Sequence, residues 1–114
     1  MSALPLSPHR AAAGLVITSG QVGFDASGEL VSGLEQQVEV SIANLRRVLE
    51  DAGSSLDQVV STRCYLSTMD DFAAFNEIYV QHFSEPFPAR TTVGVELLGD
   101  ILFEIEAVAG TTDR

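Results

Sequence analysis

Lysine is absent from this 114-residue chain; its six basic side chains are all arginine. Without a lysine amine there is no Schiff-base catalysis and no covalent attachment of pyridoxal phosphate. Cysteine occurs once, as Cys64, which excludes an intrachain disulfide and a multi-cysteine zinc site. Cys64 lies in an apolar segment with no cation or histidine beside it in sequence, so it reads as a buried structural thiol. The only histidines, His9 and His82, are far apart and have no metal-ligand spacing. No metal site is expected, and His82 reads as a helix-end or surface residue. No apolar run approaches the ~18–20 residues that cross a bilayer. Residues 1–10 lack the basic segment and long apolar stretch of a secretory leader, so the expected location is the cytoplasm.

Acidic groups are plentiful. Sixteen carboxylates against six arginines give a net charge of −10 and a pI near 4.3. Nucleic acids and anionic membranes select basic surfaces, so neither is an expected partner. A hydrophobic fraction of 46% in a chain of this length suits one domain over residues 1–114, with a single core and room for an apolar interface. No repeat, linker or low-complexity segment divides it.

The patterning predicts β-β-α-β-α-β-β. After an extended lead-in, residues 14–19 are apolar and β-branched. Asp25-Ala26-Ser27-Gly28 is a turn by composition, leading to a short second strand over 29–31. Leu34, Val38, Ile42, Leu45 and Leu49 recur at helical spacing within 33–52, and Gly53 stands where a helix would be capped. Residues 58–66 alternate as a strand, with Val60, Thr62, Cys64 and Leu66 on one face and Val59, Ser61, Arg63 and Tyr65 on the other. A second helix over 70–83 carries Phe72, Phe75, Ile78, Tyr79 and Phe83 as its core stripe. Pro86 and Pro88 then lead into a strand over 89–96, a turn at 97–100 and a last strand over 101–109. Crossover helices allow parallel pairs within a mixed sheet, and two helices cover one of its faces. The other face stays open.

The period of two places Arg90, Thr92, Gly94 and Glu96 on one face of their strand, and Glu104 and Glu106 on one face of theirs. Joined as a hairpin, these strands would set Thr92 across from Glu104 and Arg90 across from Glu106. Such a group is consistent with a cross-strand ion pair on a wet surface, worth roughly 0.2–1 kcal/mol. It is equally consistent with a site in which the guanidinium grips a carboxylate and a glutamate moves a proton. Gly94, a glycine within a strand, and the apolar Leu102 and Val108 on the glutamates' face favour a covered surface, closed by another subunit.

Five segments in order resemble the Rid (RidA/YjgF) family of enamine/imine deaminases. They are Ile17-Thr18-Ser19-Gly20-Gln21; Gln37 with Asn44-Leu45; residues 71–79; Phe87-Pro88-Ala89-Arg90-Thr91-Thr92; and Glu104-Ile105-Glu106-Ala107. Together they span nearly the whole chain. The resemblance implies an α+β, chorismate-mutase-like fold, a homotrimer, and sites in the clefts between subunits. It implies that Arg90 anchors a substrate carboxylate and Glu104 positions the attacking water, with Thr92, Ser19 and Gly20 lining the pocket. The implied reaction hydrolyses 2-aminoacrylate-type enamines, through 2-imino acids such as 2-iminopropanoate, to 2-keto acids and ammonia without a cofactor.

Two departures stand out. The family's N-terminal tyrosine has His9 as its nearest equivalent, within Ser7-Pro8-His9, which makes His9 a candidate substrate-binding residue. The family's Leu-Pro between the last strands is replaced by Leu97-Leu98-Gly99, one residue shorter. The competing expectation is a non-catalytic trimer of this type, binding small carboxylates or acting as a stress-related holdase.

Overall fold

The computed structural model describes residues 4–111. Its elements are strands β1 (His9–Ala12) and β2 (Leu15–Thr18), helix α1 (Leu34–Asp51), strand β3 (Val59–Leu66), helix α2 (Phe72–His82), and strands β4 (Ala89–Gly94) and β5 (Phe103–Gly110). Short 3-10 turns at Leu56–Gln58 and Met69–Asp71 lead into β3 and α2. The five strands form one mixed sheet in the order β1-β2-β5-β3-β4, in which β3 and β4 are parallel and the other neighbours antiparallel.

The chain is 22 Å deep along its shortest axis, the depth of one helical layer on one sheet. Leu34, Val38, Ile42, Leu45 and Leu49 of α1 join Phe75, Ile78, Tyr79 and Phe83 over the sheet residues Val16, Cys64, Leu66, Phe103, Ile105, Ala107 and Ala109. Helix α1 ends as its sequence predicts. Gly53 takes a φ of +85°, its N–H reaches Glu50 O, and Ser54 N–H reaches back to Leu49 O at 2.8 Å. That pair of bonds is the Schellman arrangement, which favours glycine at this position. Among the described residues the opposite sheet face carries no helix, and Leu15, Ile17 and Val93 are exposed on its side of their strands.

The strands depart from expectation in four ways. Residues 29–31 form no strand: a single bridge joins Phe24 to Leu30, closing the turn that Asp25 organises with hydrogen bonds to Ser27 and Glu29. The extra N-terminal strand is instead β1, upstream of β2, so the predicted order holds with a different first pair. A bulge between Val59 and Ser61 reverses the expected faces at the start of β3, leaving Val59 buried and Val60 exposed. Most consequentially, β4 and β5 are not a hairpin, because β3 lies between them. The connecting loop passes around the end of β3, where Val95 N–H bonds Leu66 O and Ser67 N–H bonds Leu102 O.

Candidate active site

That insertion decides where the charges go. In the β3–β4 register Thr62, Cys64 and Leu66 partner Arg90, Thr92 and Gly94, so all six share the helix-covered face. Tyr65 and Arg63 of β3 partner Glu104 and Glu106 of β5 on the open face. Arg90 and Glu104 therefore lie on opposite sides of the sheet, about 10 Å apart across two strands and, because Arg90 is level with Ala107, a further three residues or about 10 Å apart along them. The expected cross-strand pairing of Arg90 with Glu106 does not occur. Glu106 instead accepts a hydrogen bond from Tyr65 Oη at 2.9 Å and pairs with Arg63 at 3.5 Å.

Arg90 sits at the edge strand with its guanidinium carbon 4.8 Å from the ring centre of Tyr79, 4.9 Å from Phe75 and 5.7 Å from Phe72. The α2 stripe read as core thus also serves as an aromatic bed for a cation. Tyr79 is fixed by a 2.8 Å hydrogen bond between its hydroxyl and Thr62 Oγ1, and burial pushes its phenol above the ordinary range. No ion pair among the described residues engages Arg90, so its forked N–H donors are available to an anion. It opens into a cleft of about 340 Å³ lined by Asn76, Tyr79, Val80, Phe87 and Pro88. Thr92, two residues along, has a buried hydroxyl with no hydrogen-bond partner among the described residues. Gly94 does not mark a ligand: a Cβ there would come within 2.9 Å of Met69 Cγ, so the glycine makes room for the chain's own side chain.

Glu104 occupies the other half. Gln21 exchanges both backbone hydrogen bonds with Ile105, at 2.7 and 3.0 Å, and this bridge brings Gly20 alongside Glu104. The approach is so close that a Cβ on residue 20 would lie 1.8 Å from Glu104 Oε2. Burial, and secondarily the charge of Glu106, push the Glu104 carboxyl above its ordinary value. Ser19 is held to the lead-in: its hydroxyl donates to Ser7 O and its N–H to Pro8 O. His9 partners Thr18 in the β1–β2 register and shares its face, the one away from Glu104. Leu102, expected beside the glutamates, packs against the core instead.

The sequence-derived candidates thus fall into two groups, Arg90 with Thr92 and Glu104 with Gly20, while Ser19 bonds the lead-in and His9 faces away from Glu104. Within one chain the two do not meet. Asn76, Val80 and Phe87 were missed as lining residues; their signal was Asn76, an amide on the aromatic face of α2 one turn from Tyr79. Cys64 is fully buried, as expected, and burial pushes its thiol up to about 12. His82 ends α2 and bonds Glu39 at 2.8 Å. Among the described residues no cluster of histidine, cysteine or carboxylate groups has metal-binding geometry, and no helix is long and apolar enough to cross a membrane.

Comparison with known proteins extends these observations. Residues 2–111 match the model of the family described as Endoribonuclease L-PSP. A RutC family protein of Pyrococcus abyssi is 39% identical over 111 residues, covering 92% of this chain and 87% of the relative. The crystal structure of RidA from an Antarctic Psychrobacter species superposes with a TM-score of 0.91 at 36% identity, over 96% of this chain and 91% of that one. That of E. coli TdcF with bound serine gives 0.89 at 29% identity, over 97% and 91%. The α+β fold, with its mixed five-stranded sheet and two helices, is the fold of these structures.

Proposed function

Since the chain belongs to the Rid/YjgF/L-PSP family, we propose that it is a cytoplasmic, cofactor-independent deaminase of 2-enamine and 2-imino acids, working as a homotrimer whose sites each join Arg90 of one protomer to Glu104 of the next. The observation that carries this reading is the Arg90 guanidinium, seated on three rings beside a cleft and unpaired with any described carboxylate. A cation so placed binds a small carboxylate in bidentate fashion. Serine, the ligand bound to TdcF, belongs to that chemical class. The bare sheet face, with exposed Leu15, Ile17 and Val93, supports association, and a cyclic arrangement would set one copy's Arg90 cleft against another's Glu104.

The chemistry follows from these two groups. An enamine acid takes a proton at its β-carbon to become the 2-imino acid, and Arg90 holds its carboxylate. Glu104 accepts a proton from water as the oxygen bonds to C2 and the imine nitrogen takes up a proton from solvent, giving a carbinolamine. The proton on Glu104 then passes to the amine, the C–N bond breaks and ammonia leaves, and the C2 hydroxyl releases its proton to solvent as it becomes the carbonyl of a 2-keto acid. A carboxyl raised toward neutrality by burial suits both transfers. Ribonuclease activity, suggested by the family description, is disfavoured by a net charge of −10 with no lysine.

The test is release of ammonia and pyruvate from 2-iminopropanoate generated in a coupled dehydratase assay. Arg90→Ala is expected to abolish turnover and carboxylate binding together. Undiminished turnover contradicts the assignment, and carboxylate binding to the wild type without turnover favours a non-catalytic binding protein.

A further inference from the structure

We propose that Gln37 and Asn44, two amides on α1, are positioning residues that set the placement of Gly20 against Glu104; this rests on the role given to Glu104 above. Their spacing of seven residues is two helical turns, so both emerge from one stripe of α1. Gln37 is 2% exposed in a stripe otherwise suited to leucine or valine. All its bonds go to loops: Nε2 donates to Val31 O at 3.0 Å and Asp100 O at 3.3 Å, and Oε1 accepts from Leu102 N–H at 2.8 Å. Leu102 lies two residues before Glu104. Asn44 Nδ2 donates to Val22 O at 2.9 Å and Phe24 O at 3.0 Å. Its Oδ1 accepts from Arg47 at 2.9 Å, which fixes which end of the amide faces the loop.

Between the two amides the loop presses directly on the helix. A Cβ on Gly23 would meet Gln37 Cα at 3.0 Å, and Gly23 O accepts from Val31 N–H at 3.0 Å. Gln21, bonded to Ile105, completes the circuit. The segment carrying Gly20 and the entry to β5 are thus each tied to α1, and through it to one another. Burying a polar amide where an apolar side chain would fill the space has a cost unless its bonds serve something. What they serve is the register of two loops that converge on one carboxylate, in a site where misplacement by about 1 Å costs on the order of 10²-fold in rate.

Gln37→Met and Asn44→Leu remove the bonds while keeping side chains of similar length, and Arg47→Ala, at an exposed position, loosens Asn44 without touching the core. Two quantities are read: the split between kcat and KM, and the midpoint of the Glu104 carboxyl titration by carbon NMR. Both amide variants are expected to lower kcat about ten-fold while KM, governed by Arg90, stays within about two-fold; Arg47→Ala should lower kcat about two- to three-fold. The Glu104 midpoint should fall in each, because a looser loop admits water. Its charged and titratable neighbours, Glu106 on β5 and Tyr65 and Arg63 on β3, are the same in every variant. A purely structural role would lower Tm and leave kcat and midpoint unchanged; that result in folded Asn44→Leu and Arg47→Ala overturns the proposal. Turnover that survives Glu104→Gln would instead overturn the proposed reaction, and the NMR midpoint would still decide the positioning role.

Discussion

Replacing Gly20 with alanine puts a methyl group where the Glu104 carboxylate lies. The added Cβ would stand 1.8 Å from Oε2, 2.8 Å from Cδ and 3.0 Å from Cγ. An ordinary carbon–oxygen contact is about 3.5 Å, so the carboxylate must retreat by roughly 1.5 Å. Because the obstructing atoms end a flexible side chain and Gly20 is not at positive φ, the cost falls on position rather than stability. Folding free energy should change by less than about 1 kcal/mol, since alanine also reduces the freedom of the unfolded chain. For the reaction, a displacement of that size is worth on the order of 10²-fold in kcat. Steady-state release of ammonia from 2-iminopropanoate, beside a thermal melt, measures both. A folded Gly20→Ala protein with undiminished kcat would refute the role given to Glu104.

Other perturbations probe separate links. Burial first and Glu106 second raise the Glu104 carboxyl, and its active form is ionised, so kcat should fall as pH drops through a value above the ordinary carboxylate range. Glu106→Gln removes the second cause and should move this acid limb to lower pH; a limb that moves upward contradicts the assignment. The same raised carboxyl costs stability as pH rises through its folded pKa, so Glu104→Gln should raise Tm at pH 7 but not below pH 4. Cys64, with its thiol near 12 and no exposed surface, should resist a thiol reagent at pH 8 until the protein unfolds. Tyr79→Phe leaves Thr62 Oγ1 buried without its 2.8 Å partner and should cost about 1–3 kcal/mol in a denaturant titration.

Local features were the most legible. The spacing from Leu34 to Leu49, the cap at Gly53 and the burial of Cys64 follow from residues close together in sequence, where periodicity and φ preference act directly. Which strands become neighbours is a different matter. Alternation assigns faces within 89–94 and within 103–110, but a loop resets the phase between them, and residues 95–102 pass around the end of β3 rather than turning back. The hairpin expectation failed for that reason and carried the pairing of Arg90 with Glu106 with it. The bulge at Val60 was equally invisible, because Val59 and Val60 are equally apolar and either could face the core. Strand β1 has weak intrinsic preference in His9-Arg10-Ala11-Ala12; pairing with the edge of β2 makes it a strand. The identities of Arg90, Glu104 and Gly20 came from motifs, whereas their division into two half-sites came from topology.

That division makes mixing the most direct test. Arg90→Ala and Glu104→Gln chains, each inactive alone, are refolded together in equal amounts. If every site takes Arg90 from one copy and Glu104 from the next, random assembly leaves both intact in about one quarter of the sites. Ammonia release should recover to about a quarter of the wild-type rate. Mixed assemblies that remain inactive would contradict the shared site.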